Sequence, residues 1–257
     1  APVPARFPAR FLLAINAVRP MCGLVFAYTP HAPTSAGVLA VMTRQLRHRG
    51  PDDEGFLLWN PHDAGFGPPR RLGGADTPEA AWTTPTPWQP QARVEDQPAL
   101  AAPLAMGHRR LAIVDLSPWG HQPMSRAGRW VGVYNGEIYN HLELRRELEA
   151  QGESFLTHSD TEVLLAAVAA WGPKEALSRC NGMWAFVLLD TQRRTLLIAR
   201  DRFGVKPLYV WRDGRGSLLL ASEIKALLPH PAVRAAADGA ACAGFLRDGP
   251  QAWREAT

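Results

Sequence analysis

The sequence lacks several features that would point to whole classes of protein. Its 257 residues include only three cysteines, spaced far apart and without a CxxC pair, so neither a disulfide framework nor a cysteine-based zinc site is indicated. No apolar run reaches the roughly 18 residues that a membrane-spanning helix needs. The net charge is only +4, and its arginines form no long basic run. We therefore expect a soluble, cytoplasmic protein that binds neither nucleic acid nor membrane.

Sequence signals for cofactors are also missing. There is no G-x-G-x-x-G and no Walker A sequence, so no nucleotide site is visible. The eight histidines show no metal-ligand spacing. We expect no cofactor in this chain.

Short apolar segments separated by turns predict an α+β domain. Apolar runs predict strands at 22–28, 55–59, 104–114 and 130–140, and four closely spaced strands between 183 and 222. Close spacing favours antiparallel pairing. Helical spacing predicts helices at 36–48, 141–152 and 160–172.

Three segments fit this pattern poorly. Residues 1–21 are rich in arginine without an acidic residue, and we interpret them as a leader or a mis-set start. Residues 60–103 are rich in proline and predict a long insertion loop. Residues 231–257 are interpreted as a connector toward a further domain that the chain lacks.

Cys22 follows Met21 and precedes Gly23, which suggests a chemical role. If Met21 is the start and is removed, Cys22 carries both a thiol and a free α-amine, whose pKa near ~8 suits it as the base for the thiol. The alternative is a small buried core residue. His108 would be the partner of Cys22 in a papain-type hydrolase, although strand packing explains it equally well.

Other polar residues suggest a site for an amide substrate. Asn135 and Gly136 are a common hairpin turn pair, but an Asn amide and a Gly N–H can also hold an oxyanion. Arg110 could pair with a carboxylate or form a framework ion pair. Ser159 and Glu162 fit a helix capping box, which leaves the Asp160 carboxylate free to face an ammonium.

The order of eight motifs resembles one known family. In succession these are MCGLVFAY, LRHRGPDDEG, GHRRLAIVDLSPWGHQPM, YNGEIYN, SDTEV, GMWAFVLLD, ARDRFGVKPLY and ASEIKAL. Over about residues 21–230, the chain resembles the amino-terminal glutaminase domain of glutamine-hydrolysing asparagine synthetases, the class II (N-terminal nucleophile) amidotransferases.

The resemblance implies a four-layer αββα sandwich of two antiparallel sheets and a domain spanning 22–230. It implies that Cys22 attacks the side-chain amide of glutamine and forms a thioester, with Asn135 and Gly136 holding the oxyanion. It further implies that Arg110 binds the substrate carboxylate and that Asp160 and Glu137 engage its ammonium. Arg49, in the segment 49–52, would shape the pocket wall.

The resemblance also implies partners. The ammonia would pass to a C-terminal synthetase domain that uses ATP and Mg²⁺ and whose Ser-Gly-Gly-x-Asp-Ser loop does not occur here. A homodimer is compatible with the family. Two alternatives stay open: a degenerate, non-catalytic amidotransferase module, and the glutaminase half of a sibling synthetase that amidates another carboxylate.

Overall fold

The computed structural model describes residues 21–249, apart from Ala64 and Phe66. The leader assigned to 1–21 therefore lies outside the described residues except for Met21, and so does the end of the 231–257 connector. Among the described residues, no helix has the length and apolar character needed to cross a membrane.

Two β-sheets form the centre of the molecule. The larger one has the strand order β12-β13-β1-β7-β3-β4-β5, and the smaller one has the order β11-β10-β9-β8. Strands of the larger sheet are β1 (Gly23–Tyr28), β3 (Asp53–Trp59), β4 (Arg70–Gly73), β5 (Ala92–Arg93), β7 (Leu104–Arg110), β12 (Tyr209–Arg212) and β13 (Leu218–Ala221). Strands of the smaller sheet are β8 (Met124–Arg126), β9 (Trp130–Ile138), β10 (Gly182–Asp190) and β11 (Thr195–Arg200). A separate two-stranded pair joins β2 (Thr34–Ser35) to β6 (Ala101–Ala102).

The two sheets pack face to face because their strands alternate apolar residues on both faces. On β1, Leu24 and Phe26 belong to a core shared with Val131 and Val187 of the smaller sheet. Val25, the residue between them, belongs instead to the core on the opposite face. This period of two places one apolar layer between the sheets and another beneath the helices.

The described α-helices are α1 (Ala36–Arg44), α2 (Glu79–Thr83), α3 (His141–Ala150), α4 (Asp160–Trp171), α5 (Pro173–Arg179) and α6 (Gly239–Asp248). Four of them, α1 and α3 to α5, cover the outer faces of the sheets. Helix α1 packs its buried Leu39 and Met42 on the larger sheet. Helices α3 to α5 share a core with the smaller sheet. The four-layer αββα sandwich is thereby confirmed.

Residues 60–103 carry regular structure where we expected an irregular loop. Strand β4 pairs antiparallel with β3, and β5 pairs parallel with β4, so this segment completes one edge of the larger sheet. Trp88, from the same segment, is buried in the core beside α3 to α5. The prolines lie outside these two short strands, where no ladder hydrogen bond is lost.

Most of the other predicted elements are confirmed. The four closely spaced strands form two antiparallel pairs, but β10 and β11 belong to the smaller sheet while β12 and β13 belong to the larger one. The sequence did not predict α5, whose Pro173 stands at a first helical turn. Helix α6 lies in the segment that we interpreted as a connector, and the Asp238 carboxylate caps it.

Candidate functional site

A cavity of about 220 Å³ opens where the carboxyl end of β7 meets the end of β9 and the start of α4. Six of the seven residues predicted from the sequence line it: Cys22, Arg110, Asn135, Gly136, Glu137 and Asp160. They come from strands of both sheets and from a helix. The sheet packing, rather than any local motif, therefore brings them together.

Cys22 immediately precedes β1 and lies beside the residue that follows β7. Its Sγ accepts a hydrogen bond from Leu111 N at 3.3 Å, and it also lies 3.6 Å from Leu111 O. Burial raises the pKa of the Cys22 thiol, while the Leu111 N–H and the nearby Arg110 guanidinium oppose that rise. Within the part of the chain that the structure describes, no side-chain base hydrogen-bonds to this sulfur.

Asn135 is fully buried, yet neither its amide nitrogen nor its amide oxygen has a hydrogen-bond partner. Buried amides almost always have partners, since an unsatisfied one costs about 1–3 kcal/mol. Because Asn135 lines the cavity, its amide is available to a bound molecule. Such an arrangement is typical of a group that is satisfied only when a ligand is bound.

Gly136 lies next to Asn135 on β9, where the neighbouring strand leaves no room for a side chain. A Cβ at this position would lie 2.6 Å from Met183 O and 2.8 Å from Trp184 Cα on β10. The glycine is therefore required by the close approach of the two strands. Gly136 also lines the cavity.

The Arg110 guanidinium, at the end of β7, is fixed by backbone carbonyl groups. It donates to Ser117 O at 3.0 Å and to Asp115 O. The Asp115 carboxylate shapes this loop by accepting from Ser117 N at 2.8 Å and from His158 N at 3.1 Å. Among the described residues, Arg110 forms no salt bridge, so its charge remains available to an anion in the cavity.

Asp160 is the first residue of α4 and lines the same cavity as Cys22. Its Oδ2 accepts from Tyr134 Oη at 2.8 Å and from Ile138 N at 3.0 Å. Burial raises the pKa of the Asp160 carboxyl, although both of these donors lower it. A cationic group entering the cavity would offset the same burial penalty.

The predicted capping box is only half correct. The Ser159 hydroxyl accepts from Thr161 N at 3.1 Å and caps α4, as predicted. The Glu162 carboxylate instead accepts from Thr157 N at 2.7 Å and Leu156 N at 3.0 Å, and it pairs with Arg126. Glu162 therefore fixes the loop before the helix rather than the N–H of the cap residue.

Arg49 contacts the backbone of Cys22 and does not line the cavity. Its Nε donates to Cys22 O at 3.0 Å, and its Nη1 donates to Glu223 Oε1 at 3.1 Å. It therefore positions the backbone of Cys22 instead of forming the pocket wall that we expected.

His108 is not a partner of the sulfur. Its Nε2 donates to Tyr134 O at 3.0 Å, and the residue does not line the cavity. Burial lowers the pKa of His108 to about 3, so the ring is neutral at physiological pH. The strand-packing interpretation accounts for these contacts, and the papain-type arrangement is wrong for this structure.

The sequence did not assign a site role to Lys206, Gln122 or Tyr134, which also line the cavity. Lys206 lies near Met21 and Cys22. Gln122 Oε1 accepts a hydrogen bond from Tyr134 N at 2.7 Å. The motif ARDRFGVKPLY contains Lys206 and was noted for the family resemblance, but its distance from Cys22 along the chain gave no signal of contact.

The described residues contain no cluster of three or more His, Cys, Asp or Glu side chains arranged to hold a metal ion. The cavity instead combines one thiol, one unsatisfied amide, and charges of both signs. Such a set can attack a carbonyl and hold the zwitterionic end of an amino acid.

Comparison with known proteins agrees with this chemistry. Residues 95–255 match the family described as the glutamine amidotransferase domain. The asparagine synthetase (glutamine-hydrolyzing) 3 of Bacillus subtilis is 42% identical over 56% of this chain and 24% of its own length. The asparagine synthetase (glutamine-hydrolyzing) 1 of the same organism is 34% identical over 81% of this chain and 27% of its own length. Asparagine synthetase B of Escherichia coli is 45% identical over 48% of this chain and 22% of its own length. The chain therefore spans about a quarter of the length of these relatives.

Solved structures share the fold. The glutamine phosphoribosylpyrophosphate amidotransferase of B. subtilis superposes with a TM-score of 0.60 at 23% identity, over 80% of this chain and 43% of that one. A second structure, described as the allosteric regulatory enzyme of purine biosynthesis, superposes with a TM-score of 0.57 at 23% identity, over 81% of this chain and 43% of that one. This is the N-terminal nucleophile hydrolase fold expected from the sequence.

Proposed function

The chain belongs to the glutamine amidotransferase domain family, and we propose that it hydrolyses the side-chain amide of glutamine by means of Cys22. One observation carries the proposal: the Cys22 thiol and the buried, unpartnered Asn135 amide line the same cavity. A nucleophile facing a preorganised donor is the arrangement that acyl transfer from an amide requires.

The charges of the cavity are complementary to the α-carboxylate and the α-ammonium of glutamine. Arg110 binds the α-carboxylate, while Asp160 and Glu137 face the α-ammonium. With the charged end held in this way, the side-chain amide extends toward Cys22. A substrate without either charge would leave a buried polar group unpaired, which accounts for selectivity.

The reaction proceeds by two acyl transfers. The Cys22 α-amine takes the thiol proton while sulfur bonds to the amide carbon, and Asn135 and the Gly136 N–H stabilise the resulting oxyanion. The C–N bond then breaks, and the amine returns the proton to the departing ammonia. Water attacks the thioester by the same route, which releases glutamate and restores the thiol.

The wider function follows from the relatives. We propose that the ammonia serves an ATP- and Mg²⁺-dependent synthetase domain, as a C-terminal continuation or a separate partner, that amidates aspartate. The names of the relatives support this acceptor. A sibling acceptor carboxylate is the alternative within the same class. A non-catalytic module is the alternative outside it, but the unpartnered Asn135 amide favours a working site.

The form of the chain that begins at Cys22 tests the proposal. All described strands and helices lie at or beyond Gly23, so this form retains every one of these elements. Incubated with glutamine, it is expected to release equal amounts of ammonia and glutamate. A matched form that retains Met21, verified by intact mass, is expected to be about 10²–10⁴-fold slower because its amine is acylated and cannot act as a base.

Equal rates for the two forms would contradict the role of the amine. Absence of glutamine hydrolysis from both forms would favour the non-catalytic module.

A further inference from the structure

The least expected group in the cavity is the Lys206 side chain. It is only 4% exposed, and it lines the cavity together with Cys22 and Glu137. Its Nζ lies 2.9 Å from the Sδ of Met21, the residue bonded to the Cys22 nitrogen. The buried Lys206 side chain therefore reaches the same end of the cavity as Met21 and Cys22, where removal of Met21 would expose the Cys22 α-amine.

A tightly bonded loop holds this lysine in place. Asp201, just after β11, accepts backbone hydrogen bonds from Val205 and Lys206, each at 2.9 Å, and from Phe203 at 3.1 Å. The loop closes through Gly204, whose φ of +63° favours glycine. Lys206 O also accepts from Arg200 Nε at 2.7 Å. This hydrogen-bonded turn therefore fixes the backbone from which the Lys206 side chain reaches the cavity.

The charged groups around Lys206 come from four separate segments of the chain. Burial lowers the pKa of Lys206, and Arg49, in the turn before β3, lowers it further. Cys22 just before β1, Glu137 on β9 and Asp201 in the loop after β11 raise it by favouring the cation. In turn Lys206, like Arg110, lowers the pKa of the Cys22 thiol, whereas Asp160 raises it.

We propose that Lys206 is a positioning residue for catalysis, whose buried cation disfavours protonation of the Cys22 α-amine and favours the thiolate. This inference rests on the proposed function, because it concerns the base of that reaction. The amine must be neutral before it can take the thiol proton. A cation nearby makes a second positive charge unfavourable, so it keeps the amine ready. In this proposal Lys206 acts through its charge and transfers no proton.

The test compares the pH dependence of kcat/KM for ammonia release in the chain that begins at Cys22. The acid limb of this profile is the pH range in which kcat/KM falls as the amine becomes protonated. In Lys206→Met the charge is lost, so more of the amine is protonated at any given pH. The midpoint of the acid limb is therefore expected to rise by about one pH unit. Activity above this limb is expected to be largely retained. Lys206→Arg keeps the cation and is expected to keep the acid limb of the parent chain.

Lys174→Met is the matched control, because Lys174 is an exposed lysine on α5 outside the cavity. It is expected to leave the profile unchanged. An acid limb that stays in place in Lys206→Met would overturn the inference. A limb displaced equally in Lys206→Arg and Lys206→Met would also overturn it, because charge would then not be the cause.

A second measurement is independent of glutamine turnover. The rate at which iodoacetamide alkylates the Cys22 thiol at a fixed pH near neutrality reports the thiolate fraction. This rate is expected to fall several-fold in Lys206→Met and in Lys206→Gln. In Lys206→Arg it is expected to equal the rate of the parent chain. An unchanged rate in the neutral variants overturns the inference even if the chain hydrolyses no glutamine, whereas loss of hydrolysis alone counts against the proposed function.

Discussion

Replacing Cys22 by alanine, in a chain that begins at position 22, is expected to reduce glutamine-dependent ammonia release by on the order of 10⁴–10⁶-fold. The substitution removes the atom that forms the thioester, while the cavity and its charges remain. The dissociation constant for glutamine, measured by calorimetry, is expected to change little. Loss of turnover with retained binding would separate the nucleophile from the residues that hold the substrate.

Cys242→Ala is the control for this substitution. Cys242 is an exposed thiol on α6, outside the cavity, so its removal is expected to leave turnover unchanged. Full ammonia release by Cys22→Ala, measured at saturating glutamine, would exclude the thioester mechanism.

Replacing Asn135 by alanine is expected to lower kcat by about 10²–10³-fold, with a smaller effect on KM, because the amide donor is used chiefly once negative charge develops. Its effect on stability should be small. The Asn135 amide has no partner in the folded protein, so removing it abolishes an unsatisfied buried group instead of a hydrogen bond. Kinetics and thermal unfolding of the same preparation check both statements.

Asn140→Ala is the matched control, and it is expected to lower stability while leaving activity unchanged. The Asn140 side chain donates to Arg179 O and accepts from Asn181 N, both at 2.9 Å, and it does not line the cavity. Losing both bonds is expected to lower the free energy of unfolding by about 1–2 kcal/mol while activity is retained. If Asn135→Ala instead lost stability and kept kcat, Asn135 would be a structural residue and the oxyanion assignment would fail.

The sequence predicted those elements whose residues repeat an apolar pattern. β1 and β9 were predictable because each is a short apolar run, and α4 was predictable from its Ser159 cap and its helical spacing. The regular structure within residues 60–103 was not predictable in this way. Its strands β4 and β5 are only four and two residues long, and they form only because β3 offers an edge.

The site was predictable through the motifs, but not through physical chemistry alone. Asn135 and Gly136 also fit a hairpin turn, and only the packing of the sheets brings them to Cys22. The difference at Arg49 has the same origin. From the sequence it was a cation near a predicted turn, whereas the fold directs its guanidinium to Cys22 O and Glu223. Lys206 reaches the cavity through a loop that local patterns do not orient.

The most direct test of the account is covalent labelling of the chain that begins at Cys22 with 6-diazo-5-oxo-L-norleucine, followed by peptide mass spectrometry. This glutamine analogue carries a diazoketone where the side-chain amide would be, and a thiol that attacks it becomes alkylated with loss of N₂. One adduct is expected, on Cys22, and glutamine is expected to slow its formation. Unmodified Cys22, or an adduct confined to Cys180 or Cys242, would contradict the account.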